Sequence, residues 1–257
     1  MHATTLALVG ATGGAGTTRT AVELAAIGAR GGRDVAVVDA AFATQGLSEY
    51  VHGRIATDLT TLVTDEAGAS LSAATYPIAV GEPNGDDGDV ALSGRADAIP
   101  ARAPFERVAR AKTAEAARRL ERRIDEAAAA YDAVVVDVSP VASNEAVATV
   151  TTADRVAAVC PPTPHGRDAL QRLHGRVADV GAGVDATLAV RRGTDPGETL
   201  DADVVFPPTT PRVAAAPTAA TGDGAFTRAV ADAYARLFDT TLDAGVATDG
   251  LIGRLRR

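Results

Sequence analysis

Residues 6–39 constrain this chain more than any other stretch. An apolar run, Leu6-Ala7-Leu8-Val9, leads into a glycine-rich loop, Gly10-Ala11-Thr12-Gly13-Gly14-Ala15-Gly16-Thr17-Thr18. A helical pattern from Thr18 to about Arg30 comes next, closed by Gly31-Gly32, and a second apolar run, Val35-Ala36-Val37-Val38, ends on Asp39. This is the pattern of a strand, a crossover helix and a parallel strand. Glycines let successive backbone N–H groups converge, and the next helix adds partial positive charge at its N-terminus, so the loop can hold an anion without a charged side chain. Both runs are apolar throughout, as expected where helices cover both faces of a parallel sheet. The helix places Ala21, Val22, Leu24, Ala25 and Ile27 on the stripe expected to meet that sheet, and leaves Arg19, Glu23 and Arg30 for solvent.

Further along, residues 59–66 read as a short helix and residues 78–80 as a short strand. Residues 81–104 turn to Gly, Pro, Asp and Asn and read as a mobile acidic surface loop, with a lid or partner site as the alternative. Residues 105–131 form one helical pattern, with Leu120, Ile124, Ala127 and Tyr131 at helical spacing and Arg118, Arg119, Arg122 and Arg123 on the remaining surface. Those arginines suit phosphate contacts, but Glu115 can pair with Arg119 and Arg122 with Glu126, which favours a solvated face. A buried strand ends on Asp137, whose plain structural role would be to cap the next helix. A strand and turn are also expected within residues 153–164, a strand over 187–190 and a last strand region over 204–209. A closing helix over residues 225–238 carries Phe226, Val230, Tyr234 and Leu237 on one face.

With 257 residues, the chain suits one α/β domain, residues 1–240, followed by a linker and short tail over 241–257. Lys+Arg number 25 against Asp+Glu 33, and Lys112 is the only lysine, so nearly all basic residues are arginine. That balance suggests either a salt-adapted (halophilic) source or codon bias, and a net charge of −8 argues against a general nucleic-acid binder. One cysteine, Cys160, rules out an internal disulfide and reads as structural; four scattered histidines, His165 among them, offer no metal-ligand spacing. The chain enters its first strand without a signal-like leader, and no apolar run approaches the length of a membrane span, so a cytoplasmic location is expected.

A phosphate-binding P-loop reads G-x-x-x-x-G-K-[ST], and here Thr17 stands at the lysine position. The loop is similar to the GATGxxG turn of short-chain dehydrogenases, with Asp39 as the ribose ligand of a nicotinamide cofactor, but Val108 stands four residues before the only lysine, where a catalytic tyrosine would be required. The longer helix and the segments after it resemble the MinD/ParA family of deviant P-loop ATPases (SIMIBI class), whose loop is K-G-G-x-G-K-T. Gly13, Gly14, Gly16 and Thr18 match it; Thr12 stands at the signature lysine and Thr17 at the phosphate lysine. Asp39 matches the first aspartate of the family's switch segment, and Ala41 stands where the second positions the attacking water. Tyr131-Asp132-Ala133-Val134-Val135-Val136-Asp137-Val138-Ser139-Pro140 resembles the family's Y-D-x-V-x-x-D-x-x-P, and residues 153–164 its A-D-x-V-x-x-V-x-x-P. Arg191-Arg192 replaces an adenine-reading asparagine, and Val204-Val205-Phe206-Pro207-Pro208-Thr209 lacks the aspartate beside the base.

The resemblance implies an α/β, doubly wound, mostly parallel sheet with helices on both faces, like that of P-loop NTPases. It implies an ATP/Mg site, weakened or lost, on Gly13, Gly14, Ala15, Gly16, Thr17, Thr18, Asp39 and Asp137, with Thr18 and Asp137 toward Mg²⁺. It also implies a homodimer or a heterodimer with an active relative, and a non-hydrolysing scaffold or regulator in positioning or partitioning; a weak genuine ATPase is the alternative. The tail, Asp249-Gly250-Leu251-Ile252-Gly253-Arg254-Leu255-Arg256-Arg257, has the form of a weak membrane-surface element, with Leu251, Ile252 and Leu255 on one side and Arg254, Arg256 and Arg257 toward headgroups. The alternative is a disordered tail whose arginines solubilise it.

Overall fold

The computed structural model describes residues 3–80, 92–192, 200–209 and 217–245. In chain order these form β1 (Thr4–Gly10), α1 (Thr17–Arg30), β2 (Val35–Asp39), α2 (Leu59–Thr64), β3 (Tyr76–Pro77), β4 (Ala96–Ile99), α3 (Phe105–Ala111) and α4 (Ala114–Ala130). The chain continues through β5 (Ala133–Val138), α5 (Asn144–Thr152), β6 (Arg155–Cys160), α6 (Pro164–Asp179), β7 (Ala186–Val190), β8 (Val204–Phe206) and α7 (Ala225–Phe238). One sheet has the order β3-β4-β2-β5-β1-β6-β7-β8, parallel except where β3 meets β4. It is the doubly wound, mostly parallel α/β sheet expected from the apolar strands.

Side-chain alternation divides the core into two layers. Ala7, Val9, Val134, Val136 and Val138 face the layer of α2 to α6, with Leu62, Leu120, Ile124 and Leu173. Leu6, Leu8, Val35, Val37 and Val135 face α1 and α7, with Leu24, Ile27, Val230 and Tyr234. By the same parity Asp39, two residues beyond Val37, and Asp137, two beyond Val135, turn toward α1. Helix α1 can lie close to α7 because Gly28 has no side chain: a Cβ there would stand 2.7 Å from Tyr234 Cε2 and from Val35 Cγ2.

Several expectations need correction. The single helix expected over residues 105–131 is two, because Thr113 leaves the helical region and its hydroxyl accepts the Ala116 N–H, capping α4. Arg123, expected on the surface, is buried; it pairs with Glu126 at 2.7 Å in place of Arg122, and its other nitrogen donates to the Ala67 carbonyl. The Glu115–Arg119 pair forms. Within the stretch expected to be a loop, Ala96–Ile99 is a buried strand paired with β2; its side chains are covered, and Tyr131 Oη donates to Asp97 at 2.8 Å. Residues 81–91 of that stretch lie outside the described residues. The strand expected at 78–80 forms instead at Tyr76–Pro77, with Ile78 bridging Val51. Glu23, expected in solvent, is fully buried. Among the described residues no helix is long and apolar enough to cross a membrane. The tail residues Leu251, Ile252, Arg254, Leu255, Arg256 and Arg257 lie outside the described residues.

Candidate nucleotide site

The parallel strands bring their carboxyl ends to one rim, the place where open α/β sheets bind ligands. The glycine loop leaves β1 at that rim, between β5 and β6. Gly14 and Gly16 adopt left-handed backbone at φ 69° and 96°, and Gly16 is the N-cap of α1. No side chain caps α1 and no acid stands in its first turn, so its leading amides are left for an anion. A cleft of about 300 Å³ opens there, lined among others by Gly13, Gly14, Thr18, Tyr50, Asp137 and Arg192.

Behind the loop, Thr18 Oγ1 donates to Asp137 Oδ2 at 2.6 Å. Gly46 packs so closely on this hydroxyl that a Cβ there would come within 3.2 Å of it. Asp39 stands opposite Asp137 in the β2–β5 register, and its two oxygens accept the N–H groups of Ala41, at 3.1 Å, and Ala101, at 3.3 Å. Burial pushes both carboxyls above the usual range. Asp39 rises further because the charge of Asp137 adds to its desolvation, while the Thr18 hydrogen bond partly offsets the rise at Asp137.

Two hidden carboxylates and a hydroxyl have the donor chemistry of a magnesium site. Among the described residues no group of three His, Cys, Asp or Glu gathers that could hold a metal alone, so a divalent ion here would depend on phosphate oxygens from a ligand. Thr18 and Asp137 fit that role. Magnesium would supply charge neutralisation between Asp137 and a phosphate.

Cations are disposed differently from the P-loop pattern. Thr17 folds its hydroxyl back toward β1, where a Cβ on Gly10 would stand 2.7 Å from it. Lys112 is committed elsewhere, its Nζ 3.8 Å from Glu145 Oε1. Arg19, the nearest substitute in sequence, donates through Nε to Glu23 at 2.6 Å and through Nη2 to the Thr218 hydroxyl at 2.8 Å. Ala41 has no charged side chain to offer: its backbone N–H donates to Asp39, and its carbonyl accepts from Thr44 and Gln45. Arg192 arrives from just beyond β7 and donates to the Gly14 carbonyl.

Thus Gly13, Gly14, Ala15, Gly16, Thr17, Thr18 and Asp137 line one cleft, while Asp39 sits behind it, fully buried, and offers no surface to a ribose. Sequence reasoning missed two residues that line the cleft, Tyr50, whose phenol is pushed up to about 12 chiefly by burial, and Arg192, which contacts Gly14. The only signal for Arg192 was an arginine pair at the carboxyl end of a strand. Cys160 is buried, with its thiol pushed up to about 11, and His165 lies in the first turn of α6.

No protein-family model matches the chain, and no curated protein matches it. Solved structures do. A chain of the MinC:MinD cell division protein complex of Aquifex aeolicus is 16% identical, with 93% of this chain and 97% of that one covered and a TM-score of 0.69. The septum site-determining protein MinD of Pyrococcus horikoshii OT3, complexed with Mg-ADP, is 17% identical, with 80% and 81% covered and a TM-score of 0.63. A putative plasmid partition protein of Borrelia burgdorferi B31, bound to AMPPNP, is 14% identical, with 76% and 78% covered and a TM-score of 0.58. The chain has the fold of the MinD- and ParA-like P-loop ATPases.

Proposed function

We propose that this protein is a nucleotide-responsive scaffold or regulator of the MinD/ParA kind, which holds Mg-ATP or Mg-ADP weakly and does not hydrolyse it. The Thr18–Asp137 contact behind a glycine loop of P-loop shape carries the reading, because it preserves the metal and phosphate end of the site while Thr12, Thr17 and Ala41 stand at three positions that chemistry needs charged. Removing one preorganised charge from a transition state slows reaction about 10²- to 10³-fold, and three are replaced here. Similar folds in septum placement and plasmid partition support a role in positioning or partitioning.

In this reading the protein pairs with itself or with an active relative, and nucleotide acts as a ligand that selects the paired state. Its place is the cytoplasm; the tail either solubilises the chain or makes weak contact with the inner face of the membrane. A weak but genuine ATPase is the second reading, favoured by the arginine at the Gly14 carbonyl. Phosphate release decides between them: we expect a rate indistinguishable from that of Asp137→Ala. Release at ordinary ATPase rates that Asp137→Ala abolishes would overturn the scaffold.

A further inference from the structure

Two arginines line the cleft among the described residues, and they are not equivalent. Arg19 is held by the buried Glu23 carboxylate, with which it forms an ion pair at 2.6 Å. Arg192 has its guanidinium on a neutral acceptor, the Gly14 carbonyl. Its Nη2 also lies 3.9 Å from where a Cβ on Gly16 would be, and Val190 Cγ1 lies 3.5 Å from the same point. The Arg192 head group therefore sits against the left-handed turn from which the amides of α1 open, and it enters from β7 rather than from the loop or its helix.

We infer that Arg192 is the phosphate-neutralising cation of this cleft, taking over from the far side of the loop the charge that Thr17 lacks. The inference rests on reading the cleft as a polyphosphate site, and it identifies the ligand as a group with two or more linked phosphates. A guanidinium on a neutral peptide carbonyl exchanges that partner readily for phosphate, which carries the opposite charge and can accept two parallel N–H bonds from one guanidinium. Its planar fork can span two oxygens, which a compact ammonium does not. In exchange for a phosphate, Arg192 would release the Gly14 carbonyl, so occupancy of the cleft and the position of the Arg192 side chain are linked.

The test is calorimetry of the full chain, Arg192→Gln and Arg192→Lys with Mg-ATP and, separately, with inorganic tripolyphosphate and Mg²⁺. Arg192→Gln is expected to weaken both ligands about 10- to 100-fold, the range for one charge-assisted contact. Arg192→Lys is expected to recover part of the tripolyphosphate affinity. Melting without ligand should be unchanged in both variants, because the side chain is exposed and its contact is to a surface carbonyl. Equal binding by the full chain and Arg192→Gln would overturn the inference while leaving the site intact. Loss of ATP affinity with tripolyphosphate unaffected would overturn it too, by placing the arginine on the base or ribose. No recovery in Arg192→Lys would show that charge is not what binds. Failure of the unaltered chain to bind either ligand would overturn the polyphosphate reading itself and the inference with it.

Discussion

Asp39 and Asp137 stand side by side on adjacent parallel strands, in register and both buried, with Thr18 donating to Asp137 and backbone amides donating to Asp39. Each carboxyl titrates above its unfolded value of about 4. A raised folded-state value contributes stability that is fully present below the unfolded value and is lost as pH rises through the folded ones. Metal-free protein should therefore melt lower at pH 8 than at pH 5. Asp137→Asn, which keeps an acceptor for Thr18 and removes one charge, should narrow that gap by several degrees. An unchanged pH dependence in the variant would show that the pair does not ionise as argued.

Thr17→Lys restores an ammonium at the start of α1. Since one charge-assisted contact contributes about 1.5–3 kcal/mol, Mg-ATP should bind about 10- to 100-fold tighter, while phosphate release stays at background because Ala41 is unchanged. Titration calorimetry and a phosphate assay on the same sample check both halves.

Glu23 ties α1 to the segment before α7: its carboxylate accepts from Arg19, from the Thr218 N–H at 2.9 Å and from the Ala219 N–H at 2.7 Å. Glu23→Ala leaves two amides without their acceptor in a buried place and removes the ion partner of Arg19, which costs about 3 kcal/mol or more. Urea unfolding should show a lowered midpoint. A midpoint within experimental error of the original would mean that solvent enters and replaces the carboxylate.

The tail beyond Ala247 is expected to give weak, dimer-dependent binding to anionic vesicles. Leu251, Ile252 and Leu255 supply at most about 2 kcal/mol each and the three arginines about 1 kcal/mol each before ordering entropy is subtracted. Two copies in a dimer would bind usefully through effective concentration. In sedimentation at low salt the full chain should pellet more than a chain ending at Ala247. Equal and negligible pelleting would leave the solubilising role.

The sequence by itself determined the class of the fold and the absence of lysine from its glycine loop. Apolar runs separated by a helical pattern demand a covered parallel sheet, and alternation along Val35-Ala36-Val37-Val38-Asp39 and Ala133-Val134-Val135-Val136-Asp137 already puts both acids on the face shared with Val37 and Val135. The absence of lysine before residue 112 is likewise a property of the sequence alone. Tertiary structure decided that β2 lies beside β5, which turns two separate strand-end acids into a coupled pair. It also decided that Ala96–Ile99 is a strand, since these four residues gain their ladder hydrogen bonds from β2 and not from any local pattern. Glu23 reads as a solvent residue by helical spacing and is buried because the chain near Thr218 folds over it. Arg192 reaches Gly14 from a segment far along the chain. Local periodicity reports which way a side chain points from its own element, whereas partners and charge balance depend on which distant segments the sheet order brings to the same rim.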